Sequence, residues 1–148
     1  MTRAELIAFV RESNRIEGID REPTLDEIEA YTRFLDLMKI EVTELEAFVA
    51  LIQPEGRLRD RLGMDVRVGN YIPPFGCKGM RLDLQNLLDQ ISAKLLTPYE
   101  AHVAYEKLHP FTDGNGRSGR ALWLWMHGGE APLGFLHTFY YETLRTSR

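Results

Sequence analysis

Apolar residues recur three and four apart along most of this chain, the spacing of helices with one buried face. Leu6, Phe9, Val10 and Ile16 predict a short first helix ending near Gly18. Thr24-Leu-Asp-Glu27 is a capping box after Pro23 and opens a second, with Ile28, Tyr31, Phe34, Leu35 and Met38 on one face. Thr43-Glu-Leu-Glu46 repeats the signal before Leu45, Phe48, Val49 and Ile52, and Pro54 stops that helix. Met80 to Leu96 predicts a fourth, carrying Leu84, Leu87, Leu88, Ile91 and Leu95. Thr97-Pro-Tyr-Glu100 is a third box with proline at the first helical position, so residues 98–108 form a fifth helix that runs up to His109. The run Ala121-Leu-Trp-Leu-Trp-Met-His127 is apolar enough for a buried helix and stops at Gly128-Gly129.

Only residues 63–79 depart from this period. They are dense in glycine and proline, and Val66 and Val68 alternate with Asp65, Arg67 and Gly69, the period of a short strand or hairpin arm. With no repeats, low-complexity tract or linker, the expectation is one compact all-α bundle over residues 1–148 with a small hairpin at about 63–79. A length of 148 residues suits a single domain that buries its own core. The net charge of −4 argues against a protein that coats nucleic acid, although a local basic pocket is compatible with it. A lone cysteine, Cys77, excludes an intramolecular disulfide and fits a reducing compartment. The short apolar run Leu6 to Val10, broken by Arg11 and Glu12, is neither a signal peptide nor a membrane span. A cytoplasmic protein with no membrane or nucleic-acid partner is therefore expected.

The chemistry concentrates in residues 109–120, His-Pro-Phe-Thr-Asp-Gly-Asn-Gly-Arg-Ser-Gly-Arg. The glycines fall at the mouth of a helix N-terminus, where unpaired backbone N–H groups and the positive end of the helix dipole form an anion site. Arg117 and Arg120 share one face of the opening turn and can grip phosphates through guanidinium forks. Asp113 offers an oxygen ligand to a hard cation bridging those phosphates. His109 is the group whose ordinary pKa suits proton abstraction near neutral pH. Gly-Asn-Gly alone would be a tight turn between helices; with a histidine, a carboxylate and two arginines at fixed offsets, the set is that of a nucleotide-polyphosphate transferase.

These twelve residues match the motif HPFx(D/E)GNGRxxR, and the chain resembles the Fic (filamentation induced by cAMP) proteins. Two weaker matches extend the resemblance from about residue 10 to the end. Gly63 to Phe75 looks like the Fic flap hairpin, and Phe139-Tyr140-Tyr141 like the family's closing helix. The resemblance implies transfer of AMP from ATP, with Mg²⁺, onto a Ser, Thr or Tyr hydroxyl of a target protein. It makes His109 the general base, Phe111 a core anchor and Asp113 the metal ligand. Gly114, Asn115 and Gly116 would cradle the α- and β-phosphates, Arg117 would hold the β-phosphate and Arg120 the γ-phosphate. The flap residues Val66, Arg67, Val68, Tyr71 and Ile72 would dock the target by strand addition. No signature position departs from the pattern, unlike the Doc-type kinases with their altered glycine loop.

Ser13-Asn-Arg-Ile-Glu17-Gly18, taken alone, is a solvated helix end with Gly18 as its cap. Beside the motif it matches (S/T)xxxE(G/N), so residues 1–18 resemble an inhibitory helix preceding the catalytic core. Ser13, Glu17 and Gly18 are its signature, and Glu17 would pair with Arg120 and occupy the γ-phosphate arginine. Three functions stay open: AMP transfer restrained by Glu17, removal of AMP from a modified protein with Glu17 aligning a water, and a non-catalytic nucleotide-binding regulatory module. The intact His109 speaks against the third. Self-modification and homo-oligomerisation stay open too. The remaining histidines (His102, His127 and His137), Trp123, Trp125 and the run Arg57 to Arg61 are expected to be packing residues or solvated surface.

Overall fold

A computed structural model describes residues 1–130. It contains six helices in chain order: α1 (Arg3–Ile16), α2 (Leu25–Leu35), α3 (Val42–Ile52), α4 (Gly79–Ser92), α5 (Pro98–Leu108) and α6 (Asn115–Met126). The all-α bundle is thus as expected. Helix α6 lies at its centre, packed against α5, α2, α1 and α3. Ala121, Leu122, Trp123 and Leu124 are buried on it. Around it Tyr31 meets Phe48 edge-on at 5.0 Å, and Phe34 stacks on Phe48 at 4.5 Å. Such aromatic pairs fix the approach of α2 to α3 beyond what area burial alone would do.

The caps explain most helix boundaries. Thr24 and Thr97 each accept from the backbone N–H three residues on, while Glu27 and Glu100 accept from the Thr24 and Thr97 N–H groups. At α3 the expected Thr43 start is wrong. The helix begins at Val42, and Glu44 accepts from the Glu41 N–H at 2.7 Å, leaving Thr43 inside the first turn. Helix α2 ends at Leu35, so Met38 lies beyond it and is 96% exposed rather than on the buried face. Helix α4 ends at Ser92, four residues early. Lys94 turns left-handed (φ 56°) and Leu95 N–H reaches back to Gln90, which throws Leu95 outward.

The expected hairpin shrinks to a single bridge between Val68 and Tyr71, which exchange two backbone hydrogen bonds of 2.9 Å. The next hydrogen-bonded pair out would be Val66 and Pro73, and Pro73 has no N–H to extend the ladder. The segment 63–79 is held by other means. Gly76 N–H donates to Asp65, Cys77 N–H to the Arg59 carbonyl, and the Tyr71 hydroxyl to the Lys107 carbonyl at 2.6 Å. The closing helix expected around Phe139 to Tyr141, and His137, lie outside the described residues. No helix among the described residues is long and apolar enough to cross a membrane.

Candidate active site

Helix α5 delivers His109. Its N–H closes the last turn on Tyr105, and then the backbone turns left-handed (φ 50°, ψ 61°) ahead of Pro110. A residue before proline is pushed out of the α region, and a left-handed non-glycine residue costs about 1–2 kcal/mol, so the surroundings must hold it. Arg59 supplies part of that hold, donating through Nε to the His109 carbonyl at 2.7 Å and through Nη2 to the Leu108 carbonyl at 3.0 Å.

Phe111 is buried, as an anchor should be, and bridges to Leu58. The Asn115 side chain clamps it from the helix side, accepting from Phe111 N–H at 2.9 Å and donating to the Phe111 carbonyl at 2.7 Å. Asparagine is the residue for this position because its amide carries both a donor and an acceptor. Gly114 sits at φ 83°, and its carbonyl receives the first bond of α6, from Ser118 N–H. Asp113 points one carboxylate oxygen at the Gly114 N–H and takes a hydrogen bond from Gln53 on the other, each at 2.8 Å.

The two arginines are buried and engaged. Arg117 Nη2 donates to the Ile52 carbonyl at 2.8 Å and to the Gln53 side-chain oxygen, while Nη1 lies 3.5 Å from the Glu27 carboxylate. Arg120 is 1% exposed. Its Nε donates to Ser13 Oγ at 2.7 Å, and its Nη2 to the Ser13 carbonyl at 3.0 Å and to Glu17 Oε1 at 2.6 Å. The pairing of Glu17 with Arg120 expected from sequence is thus present, with Ser13 beside it. Gly18 makes no contact with the arginine. It turns left-handed (φ 77°) and closes α1 in a Schellman pattern, with Gly18 N–H on Arg15 and Ile19 N–H on Asn14, leaving Glu17 as the terminal residue. The Glu17 carboxylate also lies against Gly116, where a methyl group would come within 2.1 Å of Oε1.

Most of these parts converge on one cleft of about 600 Å³, whereas Arg120, Ser13 and Gly18 are not among its lining residues. His109, Asp113, Gly114, Asn115, Gly116 and Arg117 line it, together with Glu17 and the flap residues Val66, Arg67 and Val68. Two expected flap contacts do not reach it. Tyr71 turns its hydroxyl to Lys107, and Ile72 is 61% exposed elsewhere. His102 is a packed residue, with Nδ1 3.2 Å from the Gly119 carbonyl, and Trp123 is core.

Several residues that matter here were not singled out in sequence. Arg59 belongs to a run expected on the surface, yet it is fully buried, and burial pulls its pKa below the usual guanidinium range. Gln53 looked like a helix end before proline, and it joins Asp113 to Arg117. Glu27 was only a cap. Its carboxylate also takes Arg21 and Asn14 and faces Arg117. Burial pushes its pKa up, but the hydrogen bonds from Arg21, Thr24 and Asn14 outweigh that and hold it below the usual carboxylate range. No local pattern marks any of them, since each partner is at least five residues away except Thr24.

Among the described residues, no three His, Cys, Asp or Glu side chains gather as a protein-made metal cage. The cleft fits a different kind of site, one carboxylate beside an anion cradle, as Mg²⁺ uses when substrate phosphates and water complete its shell. The loop's seating is sensitive to Gly56, whose added methyl would lie 2.8 Å from both the Asp113 carbonyl and Val49 Cγ1. Gly56→Ala is expected to cost about 1–3 kcal/mol in denaturant unfolding. An unchanged midpoint would show that the 53–56 turn can shift away from the loop.

No curated protein matches the chain. A family model described as the Fic/DOC family matches residues 50–127, from the end of α3 through the flap, α4, α5 and the glycine loop to the end of α6. That span is more than half of the chain and contains the whole loop between His109 and Arg120, and the chain belongs to the Fic/DOC family.

Proposed function

We propose that this protein is an adenylyltransferase that moves AMP from ATP onto a Ser, Thr or Tyr hydroxyl of a target protein and is restrained by its own first helix. Members of the family generally transfer a nucleotide monophosphate to proteins. The observation that carries the reading is the single cleft in which His109, the glycine loop at the N-terminus of α6, Asp113 and flap residues 66–68 meet. In this reading residues 1–18 are the inhibitory segment and about 63–79 the flap.

The backbone amides of Gly114, Asn115 and Gly116 belong to the loop and first turn of α6, where N–H groups lack intrahelical acceptors and favour phosphate oxygens. Arg117 holds the β-phosphate and Arg120, once released, the γ-phosphate. The target hydroxyl gives its proton to His109 as its oxygen bonds to the α-phosphorus. The bond from that phosphorus to the bridging oxygen breaks, and its electron pair leaves on pyrophosphate. Mg²⁺ bound at Asp113 beside the phosphates would neutralise their charge. The flap edge at Val66 to Val68 aligns an extended target segment by backbone pairing, which is largely blind to sequence.

A second reading, hydrolytic removal of AMP, is favoured by one observation. Glu17 lines the same cleft as His109 and its side chain is 41% exposed, so it can reach a water there. The two readings separate on labelled nucleotide. Wild-type and Glu17→Gly protein are incubated with ATP labelled at the α-phosphate and a cell lysate, and in parallel with a pre-adenylylated target. Label gained by protein supports transfer and label lost from the target supports removal; the absence of both would discard both readings.

Asp113→Ala tests the metal assignment. Asp113 is exposed, so the fold should survive. The Mg²⁺ concentration for half-maximal transfer should rise at least about tenfold, since even residues that only support a metal ligand cost that much. An unchanged Mg²⁺ titration would make Asp113 a loop-shaping residue, acting through Gln53 and Gly114.

A further inference from the structure

Arg59 and Arg120 are the two fully buried arginines among the described residues, and unlike Arg120, Arg59 has no carboxylate within 4.0 Å. All four of its hydrogen bonds go to backbone carbonyls. Two are at the end of α5, Leu108 (3.0 Å) and His109 (2.7 Å). The other two are at opposite ends of the flap, Met64 (3.2 Å) and Pro74 (2.8 Å), both reached by Nη1. A guanidinium at a helix C-terminus is favoured by the dipole, but water could satisfy those carbonyls with no charge buried. What the buried fork adds is geometry: one rigid planar group ties both flap roots to the backbone of His109. The Tyr71 hydroxyl extends the same tie by one residue, donating to the Lys107 carbonyl at 2.6 Å. Three consecutive carbonyls, Lys107, Leu108 and His109, are therefore held by two side chains on or beside the flap. The neighbouring flap residues Val66 to Val68 share the cleft with His109.

We propose that Arg59, seconded by Tyr71, is a positioning residue that sets the register between the flap edge and the His109 imidazole. The inference rests on the reading of His109 as general base and of the flap as the docking edge. Arg59 touches neither nucleotide cradle nor reacting atoms. It fixes the left-handed backbone at His109 and the distance from the docked hydroxyl to the base, a quantity whose displacement by about 1 Å can cost a hundredfold in rate. Lysine cannot replace it, because one ammonium on a flexible stem cannot span carbonyls on both sides.

The test uses Glu17→Gly protein as parent, with Arg59→Lys and Tyr71→Phe added separately. Arg59→Lys should lower transfer at saturating ATP about 30- to 100-fold and leave ATP affinity within about twofold. Tyr71→Phe, which leaves no charge unpaired, should lower it about 3- to 10-fold by the same split. The His109 imidazole C2–H resonance, assigned by its loss in His109→Gln, should shift in both variants. Arg59→Lys that is folded by its melting curve, transfers at the parent rate and leaves that resonance unmoved would overturn the proposal. If Arg59→Lys does not fold, Tyr71→Phe decides: rate and resonance both unchanged overturn it. If the parent transfers no AMP, the functional reading fails separately, and the resonance alone still tests the positioning.

Discussion

Replacing Glu17 with glycine is expected to raise AMP transfer about ten- to a hundredfold over wild type. The Glu17 carboxylate accepts from Arg120 Nη2 at 2.6 Å, and a hydrogen bond between charged groups contributes about 1.5–3 kcal/mol. With each 1.36 kcal/mol equal to a factor of ten in rate, releasing that bond gives the expected range. The arginine would not become loose. Ser13 still receives its Nε and its Nη2 through Oγ and the carbonyl, so the guanidinium stays aimed while one donor is freed. The substitution also clears the space beside Gly116, where the carboxylate now sits over the phosphate cradle. Residue 17 is the ordinary right-handed end of α1 (φ −92°), which glycine adopts with little strain. Arg120→Ala should not reproduce the gain, because it frees the carboxylate and removes the γ-phosphate grip together. A folded, ATP-binding Glu17→Gly protein no faster than wild type on any target would end the inhibitory reading of residues 13–18.

His109→Ala should lower transfer by at least about 10² and as much as 10⁴, the usual contribution of a general base, while ATP binding stays within a few-fold. In the proposed reading the nucleotide is held by the α6 N-terminus and the arginines, and the imidazole acts on the incoming hydroxyl. The left-handed backbone at His109 adds a complication that a bare alanine variant would not separate. Alanine is strained there as well and has no side chain to compensate, so part of any loss could come from a shifted loop. Asparagine tolerates that conformation better than most residues. His109→Asn should therefore keep the melting temperature and ATP affinity and lose transfer to the same extent. Retention of a tenth or more of the parent rate by folded His109→Asn would remove His109 from the role of base.

Much of the fold was legible because its signals are local. Thr24–Glu27 and Thr97–Glu100 cap their helices through partners three residues away, and the apolar period of α2 and α4 comes from side chains one turn apart. The glycine loop was equally legible, since Gly114, Asn115 and Gly116 act through the backbone geometry of a single helix start. Errors came where local signals competed. Thr43-x-x-Glu46 has the residue types of a capping box, yet the helix starts at Val42, with Glu44 rather than Glu46 taking the N-terminal N–H, that of Glu41. The flap's alternation of Val66 and Val68 reads as a strand, yet Pro73 removes the donor opposite and the ladder stops at one bridge.

The sequence alone therefore determined the all-α class, the helix that ends at His109, and the glycine loop that opens α6, because each depends on contacts within a few residues. It also paired Glu17 with Arg120, but only through the resemblance to a family motif, since 103 positions separate them. The tertiary structure decided which charges are inside. Arg59, a surface arginine by its neighbours, becomes the fully buried tie between flap and histidine because the carbonyls of Met64, Pro74, Leu108 and His109 arrive around it from three separate segments. Gln53 and Glu27 likewise acquire their place at Asp113 and Arg117 only when α2 and α3 pack on α6. A buried polar group is stable only where partners converge on it, and convergence of distant segments is not written in any local window.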